Sequence, residues 1–356
     1  MQKGILVMSI DSGQTSNKSR IEWIDQLRGM AVILVVLQHA GLRGAGRFIL
    51  AFHMPLFFFI SGLLFQYNNN SKANAKIYIN RMVCRIAFPY TIYVCFYWII
   101  NYALIPIFMG RQNHPVEFFR PILHDIVYLN RYYFISCLFI GSIIYYFYRR
   151  VLYLKKAKSE SMYIALLMFI SIFLAWLIDE FTLPFQLEKV PVVIAFLCMG
   201  SLSGAICRII YEDQFSLNKV IAMFVINMSA LIIFTFANYL FEDGANFMLY
   251  ISEYGNYLFA YPGAIAGIFM MIAINKLWCE KVKFTHSKKI LSILSRYSIL
   301  IYPAHLWGVN FGKTLSKSFS YHWFVAFVVN LILAIICIVI AIKAADFLPI
   351  LNGEKR

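Results

Sequence analysis

Apolar stretches long enough to cross a bilayer recur from one end of this 356-residue chain to the other. They fall near 22–42, 48–67, 87–109, 131–148, 161–178, 190–208, 219–240, 257–275, 290–311 and 322–347, separated by short polar interruptions. A spanning helix needs roughly 20 such residues, so ten spans use about 200 residues. The chain is 61% apolar and only 14% charged, with a mean hydropathy of +0.69. An ordinary soluble domain carries roughly 25% charged residues. A water-soluble globule of this size has too little interior to hide so much apolar surface, and 17% aromatics exclude a disordered chain. The expectation is an all-α polytopic integral membrane protein with roughly ten transmembrane helices. No internal repeat or second soluble domain is evident, so 21–348 reads as one membrane domain between tails at 1–20 and 349–356. The apolar run Ile5–Ile10 is too short for a cleaved signal, and none is expected.

The formal charge is +15, from 32 basic and 17 acidic residues. In a soluble protein this would suggest nucleic acid; here the alternation of loops explains it better. With the N-terminus in the cytoplasm, inner segments hold 22 Lys and Arg and outer segments 8. The outer ones are Arg43, Arg47, Arg111, Arg120, Arg131, Lys189, Lys313 and Lys317. The positive-inside rule then puts both termini in the cytoplasm and favours an even number of spans, with no nucleic-acid partner. The seven cysteines are odd in number, show no C-x-x-C pair and lie mostly in apolar runs, so they read as small buried hydrophobes. No histidine spacing suggests a metal site.

Ionisable residues inside spans are costly and face a cavity or a partner. Arg28 and His39 lie eleven positions apart in the first span. At about 100° per residue they come within about 20° of register, and Asp25 shares their face. The rise between Arg28 and His39 is about 16 Å. Arg28 therefore lies toward the cytoplasm and His39 deeper, with His53 of the second span at a comparable depth. From spacing alone, an Asp25–Arg28 pair at the membrane boundary with a hydrogen-bonded His39 fits equally well.

Two strings resemble a known family. Trp23-Ile24-Asp25-x-x-Arg28-Gly29-x-Ala31 with His39, then Phe52-His53-Met54-Pro55-Leu56-Phe57-Phe58-x-x-Ser61-Gly62, resembles the opening of the acyltransferase-3 family of membrane-bound O-acyltransferases. Sugar O-acetyltransferases such as fucose 4-O-acetylase-like proteins belong to that group. Arg296-Tyr297-Ser298-x-x-x-Tyr302-x-x-His305 is similar to the family's late-span Ser…Tyr…His pattern. Two departures stand out. Arg81 and Arg85 are four apart, where the family spaces its arginine pair by three. Tyr133 stands where the family has a Trp.

The resemblance implies transfer of an acetyl group from acetyl-CoA, a donor substrate and not a resident cofactor, to a saccharide hydroxyl at the bacterial inner membrane. Imidazole titrates near neutral pH, so His39 is the expected base, or else a transient acyl carrier. Asp25 lies about four turns from His39 and is expected to pair with Arg28. Arg28, Arg85 and Arg81 are candidates for the donor phosphates. Ser298, Tyr302 and His305 repeat at i, i+4 and i+7, and with His53 they would line the acceptor side. Helix–helix hydrogen bonding explains the same spacing. A transporter or a non-catalytic polysaccharide-assembly protein remains open on the residues alone, as does the oligomeric state.

Overall fold

The computed structural model describes residues 21–104, 115–129, 132–212, 215–241, 247–281 and 285–353. The expected N-terminal tail, Arg131 and the last three residues lie outside them. Among the described residues the regular structure is helical, apart from one isolated bridge, Met248 to Glu253.

The helices are α1 (Glu22–Ala40), α2 (Gly46–Tyr67), α3 (Ala75–Met82), α4 (Phe88–Trp98), α5 (Pro115–Tyr128), α6 (Tyr133–Leu154) and α7 (Glu160–Ile178). Then follow α8 (Val190–Leu202), α9 (Gly204–Glu212), α10 (Leu217–Phe241), α11 (Tyr257–Lys281), α12 (Thr285–Arg296), α13 (Ser298–Ser318) and α14 (Trp323–Phe347). Among the described residues, eight helical stretches are long and apolar enough to cross a membrane. Two further expected spans, α1 and α13, have the length, at 19 and 21 residues, but carry too many polar side chains to meet the same standard. These two helices hold most of the candidate site residues.

Burial sorts the helices into an inner and an outer set. α8 is apolar on every side and buried from Val190 to Ser201, the signature of a core helix. It packs on α2, where Gly62 and Gly200 bring the two backbones into direct contact. A Cβ on Gly62 would strike the Leu197 carbonyl, and one on Gly200 the Phe59 carbonyl. The Ser201 hydroxyl seals the crossing by donating to the Gly62 carbonyl at 2.8 Å. By contrast α7, α10 and α14 turn Phe169, Phe173, Ile226, Ile233, Ile336 and Ile340 outward, where only lipid suits them.

Three segments depart from the expected spans. The ninth, expected over 290–311, is two helices. α12 is amphipathic and crosses α1 with the Leu291 carbonyl against Gly29, while α13 begins only at Ser298. Three bonds fix the break: the Ser295 hydroxyl to Asp25 at 3.2 Å, the Tyr297 hydroxyl to Asp346 at 2.7 Å, and the Asn352 amide to the Arg296 carbonyl at 3.2 Å. The sixth, expected over 190–208, breaks at Ser203 between α8 and α9. Part of the expected polar loop 111–120 belongs to α5, which exposes Phe119, Leu123, Ile126 and Val127 while burying Asp125, as an interfacial helix does.

Candidate functional site

α1 carries Glu22 and Asp25 in its first turn and His39 in its last, each matched to the helix dipole. Gly41 closes α1 in the left-handed conformation, its N–H reaching the Gln38 carbonyl. The Asn330 amide of α14 donates to the Ala40 carbonyl at 2.9 Å, which pins the residue next to His39. His39 itself is half-buried and makes no hydrogen bond among the described residues.

Opposite it stands His305 of α13, with 5.1 Å between ring centroids and 50° between ring planes. His305 is fully buried, at 0% exposure. Its Nδ1 lies 2.9 Å from the Ile301 carbonyl, a group that only accepts, so Nδ1 carries the proton and Nε2 presents a lone pair. Among the described residues Nε2 has no hydrogen-bond partner. His53 repeats the arrangement on α2, with Nδ1 2.9 Å from the Ile49 carbonyl, and lies within electrostatic reach of His39. The Tyr302 ring is 5.9 Å from that of His305 and rests on Phe134 at 5.3 Å. Ser298 opens α13, half-buried, two turns below His305. Among the described residues no group of three His, Cys, Asp or Glu is placed to hold a metal ion.

Asp25 and Arg28 are half-buried near the other end of α1, where the Ser295 hydroxyl donates to Asp25. Arg81 and Arg85 stand apart from the histidines on an exposed surface. Arg81 donates to Asn70 at 3.3 Å. Arg85 is centred in a π-helical turn, Val83–Ala87, that joins α3 to α4. Such wide turns accommodate one extra residue within an α-helix, which matches the four-residue spacing of this arginine pair. The turn is held from outside: Gly353, at φ +69°, packs directly on the Arg85 backbone, and the Tyr93 hydroxyl bonds the Leu351 carbonyl.

The profile of a family described as an acyltransferase domain matches residues 21–343. The chain belongs to the acyltransferase-3 family. No curated protein matches it significantly. This membership makes it a multi-pass membrane acyltransferase that works on an acyl donor and an acceptor at the bilayer.

Several residues that matter to this acyltransferase architecture escaped the sequence reading. Arg149 counted there as a cytoplasmic loop charge. It is 2% exposed and donates to the Tyr145 hydroxyl, Gln66 and Glu160, all at 2.8–3.0 Å. Its i−4 Tyr was the available signal. Lys189 counted as an outer-loop charge, yet it forms a buried pair with Glu188 at 3.2 Å and lies above the Tyr133 ring. Ser295 and Asn330 carried no signal, because their partners lie more than 250 positions away.

Proposed function

We propose that this acyltransferase moves an acetyl group from acetyl-CoA to a hydroxyl of a cell-surface or lipid-linked saccharide, with His39 as the general base. The observation that carries the reading is the His39–His305 pair: two imidazoles stand together across α1 and α13, and among the described residues neither spends its available ring nitrogen on a hydrogen bond.

The chemistry needs a neutral imidazole at His39 to take a proton. The acceptor hydroxyl gives its proton to His39 as its oxygen attacks the thioester carbonyl carbon. The C–O bond forms, the tetrahedral intermediate collapses and the C–S bond breaks. The departing thiolate takes the proton back from the imidazolium and leaves as the thiol, restoring neutral His39. The His305 lone pair accepts from a second hydroxyl or from the acceptor itself and holds it in line. Tyr302, Ser298 and His53 complete the acceptor side. Arg28, with Arg85 and Arg81, meets the donor phosphates at the opposite end of α1, and Asp25 balances that charge. The flexible arm of coenzyme A separates its thioester from its phosphates, as the length of α1 separates Arg28 from His39. In this reading the protein sits in a bacterial inner membrane with both termini cytoplasmic, which the positive-inside bias supports, and the donor comes from that side.

Mass spectrometry of surface and lipid-linked glycans tests the reading. Deletion of the gene removes a 42-dalton increment from one glycan species, roughly the mass of an added acetyl group, and plasmid-borne protein restores it. Unchanged glycans with altered uptake or efflux of a solute would instead favour a carrier.

A further inference from the structure

His39 stands in the last turn of α1, where backbone carbonyls lack partners within the helix. Two of those carbonyls are met locally: the Leu42 N–H reaches Leu37 at 3.3 Å, and the Gly41 N–H reaches Gln38 at 3.1 Å. The Ala40 carbonyl is met from another helix, by the Asn330 amide of α14 at 2.9 Å.

Asn330 is out of character with its surroundings. Among the described candidate spans α14 is the most apolar, and from Trp323 to Ile342 only Asn330 and Cys337 interrupt its run of apolar side chains. Asn330 is 5% exposed, and its Oδ1 is buried with no hydrogen-bond partner among the described residues. Interhelical bonds from such an amide contribute little stability in a membrane, and an unpartnered buried oxygen takes some of that away. Holding the fold together therefore does not account for Asn330, whereas its placement does.

On its other side the Asn330 side chain lies against α13. A Cβ on Gly312 would strike it, and a Cβ on Gly308 would strike the Leu333 carbonyl of α14. Gly308 and Gly312 follow His305 at three and seven positions, so the two glycines continue the His305 face of α13 into its contact with α14. Asn330 thus bonds the residue next to His39 while its side chain abuts the helix of His305. The rings of the two histidines stand 5.1 Å apart at this junction of α1, α13 and α14.

We infer that Asn330 is a positioning residue for acyl transfer: it clamps the His39 turn of α1 to α14 and, through the Gly312 contact, sets the spacing of His39 and His305. The kinetic consequence rests on the acyl-transfer reading, and the spacing does not. A base displaced from its attack geometry loses rate without losing substrate.

Asn330→Leu keeps the volume and removes the donor, with Asn330→Ala in its place if the leucine variant is not monodisperse by size exclusion. The first measurement needs no turnover. Solid-state NMR of the full chain in liposomes, labelled with 13C-histidine, shows a cross-peak between the His39 and His305 rings, assigned by its loss in His39→Ala and in His305→Gln. Asn330→Leu weakens or removes that peak; an unchanged peak overturns the inference. The second measurement is thiol release from acetyl-CoA, with lipid-linked glycans of the deletion strain as acceptor. Asn330→Leu lowers kcat about tenfold or more and leaves both KM values within about twofold. In a His39→Ala background the same substitution has no further effect, because it acts through His39. Additive losses overturn the inference by making Asn330 a packing residue. A rise confined to acceptor KM overturns it by making Oδ1 a ligand of the acceptor. A cross-peak that depends on Asn330 in a protein that releases no thiol would refute the acyl-transfer reading and leave the clamp standing.

Discussion

His305 is fully buried with an Nε2 that has no hydrogen-bond partner among the described residues, and its ring stands 5.1 Å from that of His39, 266 positions earlier in the chain. The Ile301 carbonyl sets the His305 tautomer. A side chain that only accepts at this point orders a hydroxyl and does not need to ionise. His305→Gln keeps an acceptor of similar reach, whereas His305→Ala removes it. Steady-state transfer assays should show His305→Ala lowering kcat/KM by about tenfold to a hundredfold through acceptor KM, with His305→Gln recovering part of it. Equal losses in both variants, confined to kcat, would point to proton transfer by His305 itself.

The α2–α8 crossing depends on the absence of side chains at Gly62 and Gly200. Adding a methyl group drives a Cβ into a backbone carbonyl that cannot move without separating the helices. Gly62→Ala should destabilise the bundle by about 1–3 kcal/mol or more, read as a lower midpoint in a thiol-reactive thermal melt. An unchanged midpoint would show that the crossing relaxes freely.

Arg149 bonds the buried Tyr145 hydroxyl together with the more exposed Gln66 and Glu160. Arg149→Met keeps the volume and orphans the buried Tyr145 hydroxyl. A loss of about 2–3 kcal/mol is expected in the same melt, with donor and acceptor KM unchanged in the protein that remains folded. A selective rise in donor KM would mark Arg149 as a ligand of the donor.

The segment Pro349–Asn352 and Gly353 clasp the Arg85 turn against the junction of α12 and α13. Only glycine sits comfortably at φ +69° with the Arg85 backbone against it. Gly353→Ala should shift the Arg85 turn and raise the KM for acetyl-CoA severalfold while acceptor KM holds. A uniform fall in kcat for all substrates would mean that the clasp serves folding alone.

The helical class and most spans were legible because apolar length is a strong, local signal. α1 and α13 have the length and miss on apolarity because each carries many polar residues, some buried against protein, as Gln26 and His305 are, and some exposed at a helix end, as Lys313 and Lys317 are. The break between α12 and α13 depends on Asp25 and Asp346, the first of them some 270 positions from its partner Ser295, so no window over 290–311 contains it. Within the candidate site, Arg28 and His39 were visible as charges where lipid forbids them, and His305 through the Tyr302 pattern. The convergence of His39 and His305 was not, because the pairing of α1 with α13 is a tertiary fact. Arg149 was misread for the complementary reason. A basic residue at a membrane boundary matches the topology rule whether it meets water or is buried among partners.

The most direct test of the account is single-turnover transfer of radiolabelled acetyl from acetyl-CoA by the purified chain in nanodiscs, comparing the natural protein with His39→Ala. Removal of a general base should lower the rate by about 10²- to 10⁴-fold, with acetyl-CoA binding and the thermal midpoint preserved. Transfer at the natural rate by a folded His39→Ala protein would contradict the account.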